Sequence, residues 1–329
     1  MKRWLYFALL ILVCMLPLLI TSRYYMHVTN TAIIFLIIVM GLNYVIGFSG
    51  QISLASTAFW GIGAYTSALL TIRLGISFWL ALPVSAVFAT IAGLLIGFPT
   101  LKLKLFYLGI ATVGFGEIIA LVFLNWTSLT NGSDGIPGIP NPNIGNFVFN
   151  SDFRFYYILI GCALLLLFVS IRLKNSRFGR ALLAINNNEI AAESFGINAH
   201  AYKMAAFALS AFYAGIAGSL YAHLIGFISP DLFVFRQSII FLCMYMIGGA
   251  GFIAGPIIGS VLLTILPELM RFLRGYYMAF YGLLVVVLAI GMPSGISGLI
   301  EKYIPSLYAF FEPYAEIPKR ISSKIRGKQ

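Results

Sequence analysis

Few side chains in this sequence are placed for bond-breaking chemistry. It contains no G-x-x-x-x-G-K-[ST] phosphate loop, no H-E-x-x-H zinc helix and no G-x-S-x-G nucleophile turn. His27, His200 and His223 lie far apart, and Cys14, Cys162 and Cys243 sit in apolar runs without C-x-x-C spacing, as buried small hydrophobes do. An enzyme reading has almost nothing to rest on, and neither a metal nor a cofactor bound by this chain is expected. What remains is a set of polar groups in apolar surroundings. Glu117 stands inside VGFGEIIALVF, where a charged side chain costs at least ~2.5 kcal/mol at the middle of a bilayer. It either lines a path across the membrane or, protonated or hydrogen-bonded, holds helices together beside Gly114 and Gly116. Glu268, near a segment end beside Arg271, reads as snorkelling or locally paired. One such carboxylate is too few for the relay of acidic and basic groups expected in a proton-driven carrier.

Small polar residues make the second constellation. The phrase GFSGQISLASTAFWGIGAY offers Ser49, Gln51, Ser53, Ser56 and Thr57 as hydrogen-bonding groups, and its glycines allow close backbone approach. The pattern G-x-x-G-x-I occurs at Gly47–Ile52 and again at Gly248–Ile253. Such phrases serve helix packing, or they mark two interrupted helices in corresponding halves that flank a midplane site. On the second reading the candidates for a path are Gly50, Gln51, Ser53, Glu117, Gly248, Gly251 and Pro256.

The third constellation is RFGRALLAINNNEIAAESFGINAHAYK, from Arg177 to Lys203, the longest polar interruption in the chain. Asn188 is a suitable N-cap, Glu189 suits the positive first turn, and Gly196 stands where a C-cap glycine belongs. At 100° per residue Ala191, Ala192 and Phe195 share one stripe, and Glu189 and Glu193 stack on another. The helix so defined is about 12 Å long, too short to cross a bilayer. A capped helix with a small apolar face at the membrane surface is built for contact with something else.

The elements that must hold these groups follow from composition. Hydrophobic residues make up 60% of the 329, charged residues 9%, and the mean hydropathy is +0.96, whereas a soluble chain carries about a quarter charged residues. The expectation is an all-α, polytopic helical membrane protein with about ten transmembrane helices, some broken, and an internal repeat. The runs are 4–20, 31–47, a third ending near 71, 78–98, 105–125, 155–173, 204–226, two within 238–269, and 276–292. The first is read as a retained crossing, because no A-x-A-like cleavage site follows it. Residues 238–269 are too long for one straight span and are interrupted by GGAGFIAGP, so they are read as a broken pair.

Charge orients the array. Both termini inside puts most of the 21 basic residues on the cytoplasmic face, including Lys102, Lys104, Arg172, Lys174, Arg177, Arg180 and Lys203. The loop 126–153 carries no Lys or Arg and is placed outside. The stretch 177–203 is then cytoplasmic, and 303–329 is a basic tail beyond a membrane domain of 1–302. The net charge of +11 is that cytoplasmic bias and does not point to nucleic acid; the tail suits anionic lipid headgroups.

GLNYVIGFSGQISLASTAFWGIGAY, NGSDGIPGIP, GRALLAINNNEIAAESFGIN, GGAGFIAGPIIGSVLLTILPEL and MPSGISGLI together resemble the LivM-type permease subunits of branched-chain amino acid ABC importers, over about Gly41 to Ile300. The resemblance implies a multi-pass subunit of a bacterial inner membrane. Its partners would be a second, related permease, two ATPase subunits that hold the ATP and magnesium, and an extracytoplasmic substrate-binding protein. It further implies that the segment carrying Gly179, Arg180, Glu189, Ala191, Ala192, Glu193 and Gly196 couples to the ATPase by docking into a cleft on it. Asn186–Asn188 depart from a common pattern of arginine or acidic residues there, which bears on which ATPase is accepted. Leucine, isoleucine and valine are the implied substrates; urea and short-amide importers share the architecture. An ion-coupled secondary transporter is the alternative from another class.

Overall fold

A computed structural model describes residues 22–101, 105–145, 147–270 and 295–303, with short pieces at 15–17, 20, 282–283, 285–287 and 291. Most of the expected first and last crossings and the basic tail beyond Tyr303 lie outside the described residues, as do Lys102, Lys104 and Arg271.

α1 (Arg23–Leu42) is apolar around its whole circumference, and such a helix belongs inside a bundle. Of its apolar window 83% is buried, against 22% for α4 (Leu105–Asn125), so α1 is a central helix and α4 a peripheral one. The other central helix is α8 (Ala199–Ile225), which lies between α2 (Ser56–Arg73) and α3 (Phe78–Thr100). Small residues make that layer thin. A Cβ on Gly218 would stand 2.1 Å from the Trp60 carbonyl oxygen, and one on Gly215 would stand 2.6 Å from the Ala89 Cβ. Without a hydrophobic force between helices in lipid, such close backbone contact is the main source of association. α5 (Asp152–Lys174) flanks α1. The outer faces of α3, α4 and α5 expose Leu80, Phe88, Leu95, Ile110, Ile118 and Leu165, a surface for lipid or another membrane chain.

One end of the bundle is closed by the loop between α4 and α5. It has three two-residue strands: β1 (Ile136–Pro137) pairs with β4 (Phe227–Ile228), which follows α8, and β2 (Asn143–Ile144) pairs with β3 (Phe147–Val148), both antiparallel. Side chains fasten it down. The Arg73 guanidinium donates to the Ser128 and Leu129 carbonyls (2.7 and 2.9 Å), and the Trp79 indole donates to the Asn143 carbonyl (2.8 Å). His223 Nδ1 donates to the Pro140 carbonyl (2.6 Å), which leaves Nε2 to accept from the Ser67 hydroxyl (3.0 Å). The polar segment between α5 and α8 lies at the opposite end of those two helices.

Eight of the ten expected crossings fall in the described residues, and each is a helix there. Four begin earlier than hydropathy suggested, two of them by five residues or more. α1 starts at Arg23, and α8 starts at Ala199 because the Asn198 side chain caps it by accepting from Ala201 N (3.0 Å). The 238–269 run is two helices, α9 (Phe235–Gly248) and α10 (Ala254–Leu269), joined by the GGAGFIAGP phrase. At 14 residues α9 reaches only about 21 Å, short of the ~30 Å hydrocarbon layer. The hairpin enters from the loop end, and α10 returns to it, where the Tyr24 hydroxyl donates to the Glu268 carboxylate.

Candidate functional site: two helix breaks and a polar helix pair

The two G-x-x-G-x-I phrases, 201 positions apart in sequence, meet in space. α1 widens into a π turn over Asn43–Phe48, then leaves helical geometry at Gly50 (φ +70°) before α2 begins. The hairpin tip turns at Gly249 (φ +119°) and Gly251 (φ +77°), conformations that favour glycine. Asn43, 4% exposed, joins the two. Its Nδ2 donates to the Phe252 carbonyl (3.0 Å) and its Oδ1 accepts from Gly251 N (3.2 Å). A Cβ on Gly47 would collide with Asn43 Oδ1 at 2.1 Å, so this approach requires glycine. Irregular backbone inside a membrane protein needs its polar groups met by protein, and residues 49–55 obtain this from neighbours. Leu54 N donates to Thr112 Oγ1 of α4 (3.0 Å), and Ser238 Oγ of α9 donates to the Leu54 carbonyl (2.8 Å) while bonding to Thr57 Oγ1 (2.6 Å).

Most of the path candidates therefore cluster. Gly50, Gln51 and Gly251 lie at the breaks, and Ser53 is buried beside them. Gly248 packs on Gly255 at the hairpin tip, and Pro256 lines a cavity of about 10 Å³, the room of about one water, with Asn43, Tyr44 and Ser170. Next to that cavity, Tyr44, Ser170 and Tyr213 bond to one another through their hydroxyls at 2.9–3.2 Å. Sequence reading passed over this buried polar triad, because each member looks like an ordinary tyrosine or serine of an apolar helix. Glu117 stands apart. It is exposed on the outer face of α4 and has no hydrogen bond or ion pair among the described residues.

The breaks do not sit midway through the bundle. They adjoin the polar segment, which folds as two short helices, α6 (Arg177–Asn187) and α7 (Glu189–Ser194). Ser176 caps α6 by accepting from Phe178 N (3.1 Å) and Gly179 N (3.4 Å). α6 folds back on the last turn of α5 so tightly that a Cβ on Gly179 would lie 2.2 Å from the Lys174 carbonyl oxygen. Arg180 donates to the Asn175 carbonyl at 2.8 Å. α7 has the caps expected of it: Asn188 Oδ1 accepts from Ala191 N (3.0 Å), and Gly196 takes φ +81° with its N–H on the Glu193 carbonyl (2.8 Å). Glu189 pairs with Lys203 at 2.5 Å.

The apolar face of α7 differs from the expected stripe. Ala192 is 4% exposed and closes a separate small core with Ile185 and Ala199, so it is not presented outward. Ala191 and Glu193 are exposed, and the large apolar side chains in solvent are Ile190 (79%) and Phe195 (88%). Between the α6–α7 junction and the first break lies a polar cleft of about 300 Å³, lined among others by Ser49, Gln51, Asn186, Asn188, Glu189 and Lys203.

Interlocked discontinuous helices, close small-residue crossings and five helices long and apolar enough to cross a membrane define a multi-pass helical membrane protein. The family described as "branched-chain amino acid transport system / permease component" matches residues 24–290, and the chain belongs to it. The LivM high-affinity branched-chain amino acid permease protein of Escherichia coli is 36% identical over 312 residues, covering 88% of this chain and 73% of the relative. LivH of Salmonella typhimurium is 27% identical over 288 residues, covering 80% and 91%. The autoinducer 2 import system permease LsrC of Escherichia coli is 28% identical over 207 residues, covering 59% and 58%. No solved structure matches the chain.

Proposed function

We propose that this chain is the permease subunit of an ATP-driven importer of branched-chain amino acids, and acts as a transport subunit with no catalysis of its own. The observation that carries the reading is the 36% identity to LivM, sustained over 312 residues. ATP and magnesium would be held by two partner ATPases, a second permease would complete the membrane unit, and an extracytoplasmic protein would deliver substrate. The similarity to both LivM and LivH supports pairing of two related permeases. LsrC, named for a different cargo, supports leaving much of the selection to the binding protein.

In this reading α6 and α7 lie in the cytoplasm and couple to the ATPase, and both termini are cytoplasmic. Arg172, Lys174, Arg177, Arg180 and Lys203 all gather at that end, while residues 126–151 carry no basic residue, and this asymmetry supports the orientation. Ile190 and Phe195 provide the apolar knobs that fit a cleft on the ATPase. Glu117 and the outer face of α4 turn toward the second permease, where a carboxylate with no hydrogen bond or ion pair among the described residues can line a shared path.

Reconstitution of the chain with its partners in liposomes tests the proposal. Leucine uptake should require internal ATP and the binding protein. Uptake that persists without ATP, or that follows a proton gradient, would refute it.

A further inference from the structure

The polar helix pair is tied to both helix breaks by side chains that bond to backbone carbonyls. Asn186, in the last turn of α6, donates from Nδ2 to the Gly47 carbonyl at 3.0 Å. Lys174, at the end of α5, donates from Nζ to the Gly251 carbonyl at 3.1 Å, with its ammonium 5.5 Å from the centre of the Phe48 ring. The two arms thus flank α6 and grip one G-x-x-G-x-I phrase each, while Asn43 spans between the phrases. The Asn186 arm is closely fitted: its Oδ1 would lie 2.3 Å from a Cβ at Gly50, and Gly50 is in the left-handed region (φ +70°). A π turn and an irregular stretch deform more easily than a regular helix, since fewer of their backbone bonds are fixed by the ladder. A pull applied to α6 therefore acts on the least rigid part of α1.

We propose that Asn186 is a positioning residue for transport: its bond to the Gly47 carbonyl carries displacement of α6 and α7 to the broken helix that shapes the path. This rests on the reading of α6 and α7 as the segment that contacts the ATPase. Asn186 touches neither ATP nor substrate in this scheme, and it acts by fixing where the first break stands relative to the helix pair.

The test uses the complete importer in proteoliposomes and reads leucine taken up per ATP hydrolysed. Loss of one hydrogen bond corresponds to about a fivefold change in an equilibrium, so Asn186→Ala should lower that ratio about fivefold while the ATPase stays bound and continues to hydrolyse. Gly161→Ala, inside α5 where a Cβ meets nothing within 4 Å, should leave the ratio unchanged. A second variant tests the donor itself. Asn186→Asp keeps the shape of the side chain and removes the Nδ2 donor to the Gly47 carbonyl, so it should lower the ratio at least as much as Asn186→Ala. A wild-type ratio in either Asn186 variant overturns the proposal. So does an equal fall in uptake and hydrolysis, which would mark a merely structural role. Failure of the underlying reading is distinguishable: Ile190→Ser with Phe195→Ser would then leave ATPase binding and the ratio intact.

Discussion

Asn43→Ala is the perturbation that most directly probes the meeting of the two breaks. The side chain makes two hydrogen bonds to the hairpin tip, at 3.0 and 3.2 Å, from a position that is 4% exposed. Two net hydrogen bonds contribute ~2 kcal/mol, and a Gly251 N–H deprived of the Asn43 acceptor away from water adds up to ~3 kcal/mol. Opening of the tip should then become easier by ~2–5 kcal/mol, or about thirtyfold to several-thousandfold at tenfold per 1.4 kcal/mol. Hydrogen–deuterium exchange of peptides covering 246–253, in detergent or nanodiscs, reads this directly. Exchange should accelerate there and remain unchanged in the core of α8. Asn43→Asp should also loosen the tip, since it keeps the acceptor for Gly251 N but sets an oxygen against the Phe252 carbonyl. Wild-type protection in both variants would refute the idea that Asn43 holds the breaks together.

Two glycines separate packing from propensity. Gly218→Ala drives a methyl to 2.1 Å from the Trp60 carbonyl and should destabilise by at least ~1–3 kcal/mol, seen as a lowered melting temperature in detergent. Gly161→Ala meets nothing within 4 Å inside α5 and should stabilise by ~0.5–1 kcal/mol; equal effects at the two sites would contradict the described crossing. Glu117→Gln should leave the melting temperature of the isolated chain within the ~0.5 kcal/mol range of a surface change, yet lower uptake by the assembled importer. Normal uptake would remove Glu117 from the path, and a large loss of stability would show that it packs helices after all. Gly179→Ala should displace α6 from the end of α5, detected as faster exchange over 177–187; unchanged exchange there would refute the close approach.

Local chemistry was the most legible part of the sequence. Asn188 and Gly196 bound α7 as their types suggest, because a cap depends on neighbours within four residues. The excess length of 238–269 and its glycine phrase marked the hairpin for a similar reason: bilayer thickness limits a span whatever surrounds it. Side-chain direction was harder to foresee. A six-residue helix is too short for periodicity to decide which face turns inward, and contact with Ile185 and Ala199, on neighbouring helices, is what buries Ala192. The three asparagines at 186–188, expected to bear on the choice of ATPase, divide their work by orientation. Asn186 faces the first break, Asn188 caps α7, and Asn187 is exposed. The repeated G-x-x-G-x-I hinted at paired breaks but not at their contact, because a pattern carries no distance. Their position beside the polar helix pair shows only in the folded chain, where Asn186 and Lys174 bond to the Gly47 and Gly251 carbonyls.

The central claim, that α7 delivers the movement of an ATPase to the membrane helices, is tested most directly by crosslinking in the assembled importer. A cysteine at Phe195, 88% exposed, would be placed in a chain otherwise free of cysteine and the complex treated with a short thiol-to-amine reagent. A crosslink to the ATPase is expected from position 195 and from position 190, with none from position 161 on α5. An importer that transports leucine with ATP yet yields no crosslink from either α7 position would contradict it.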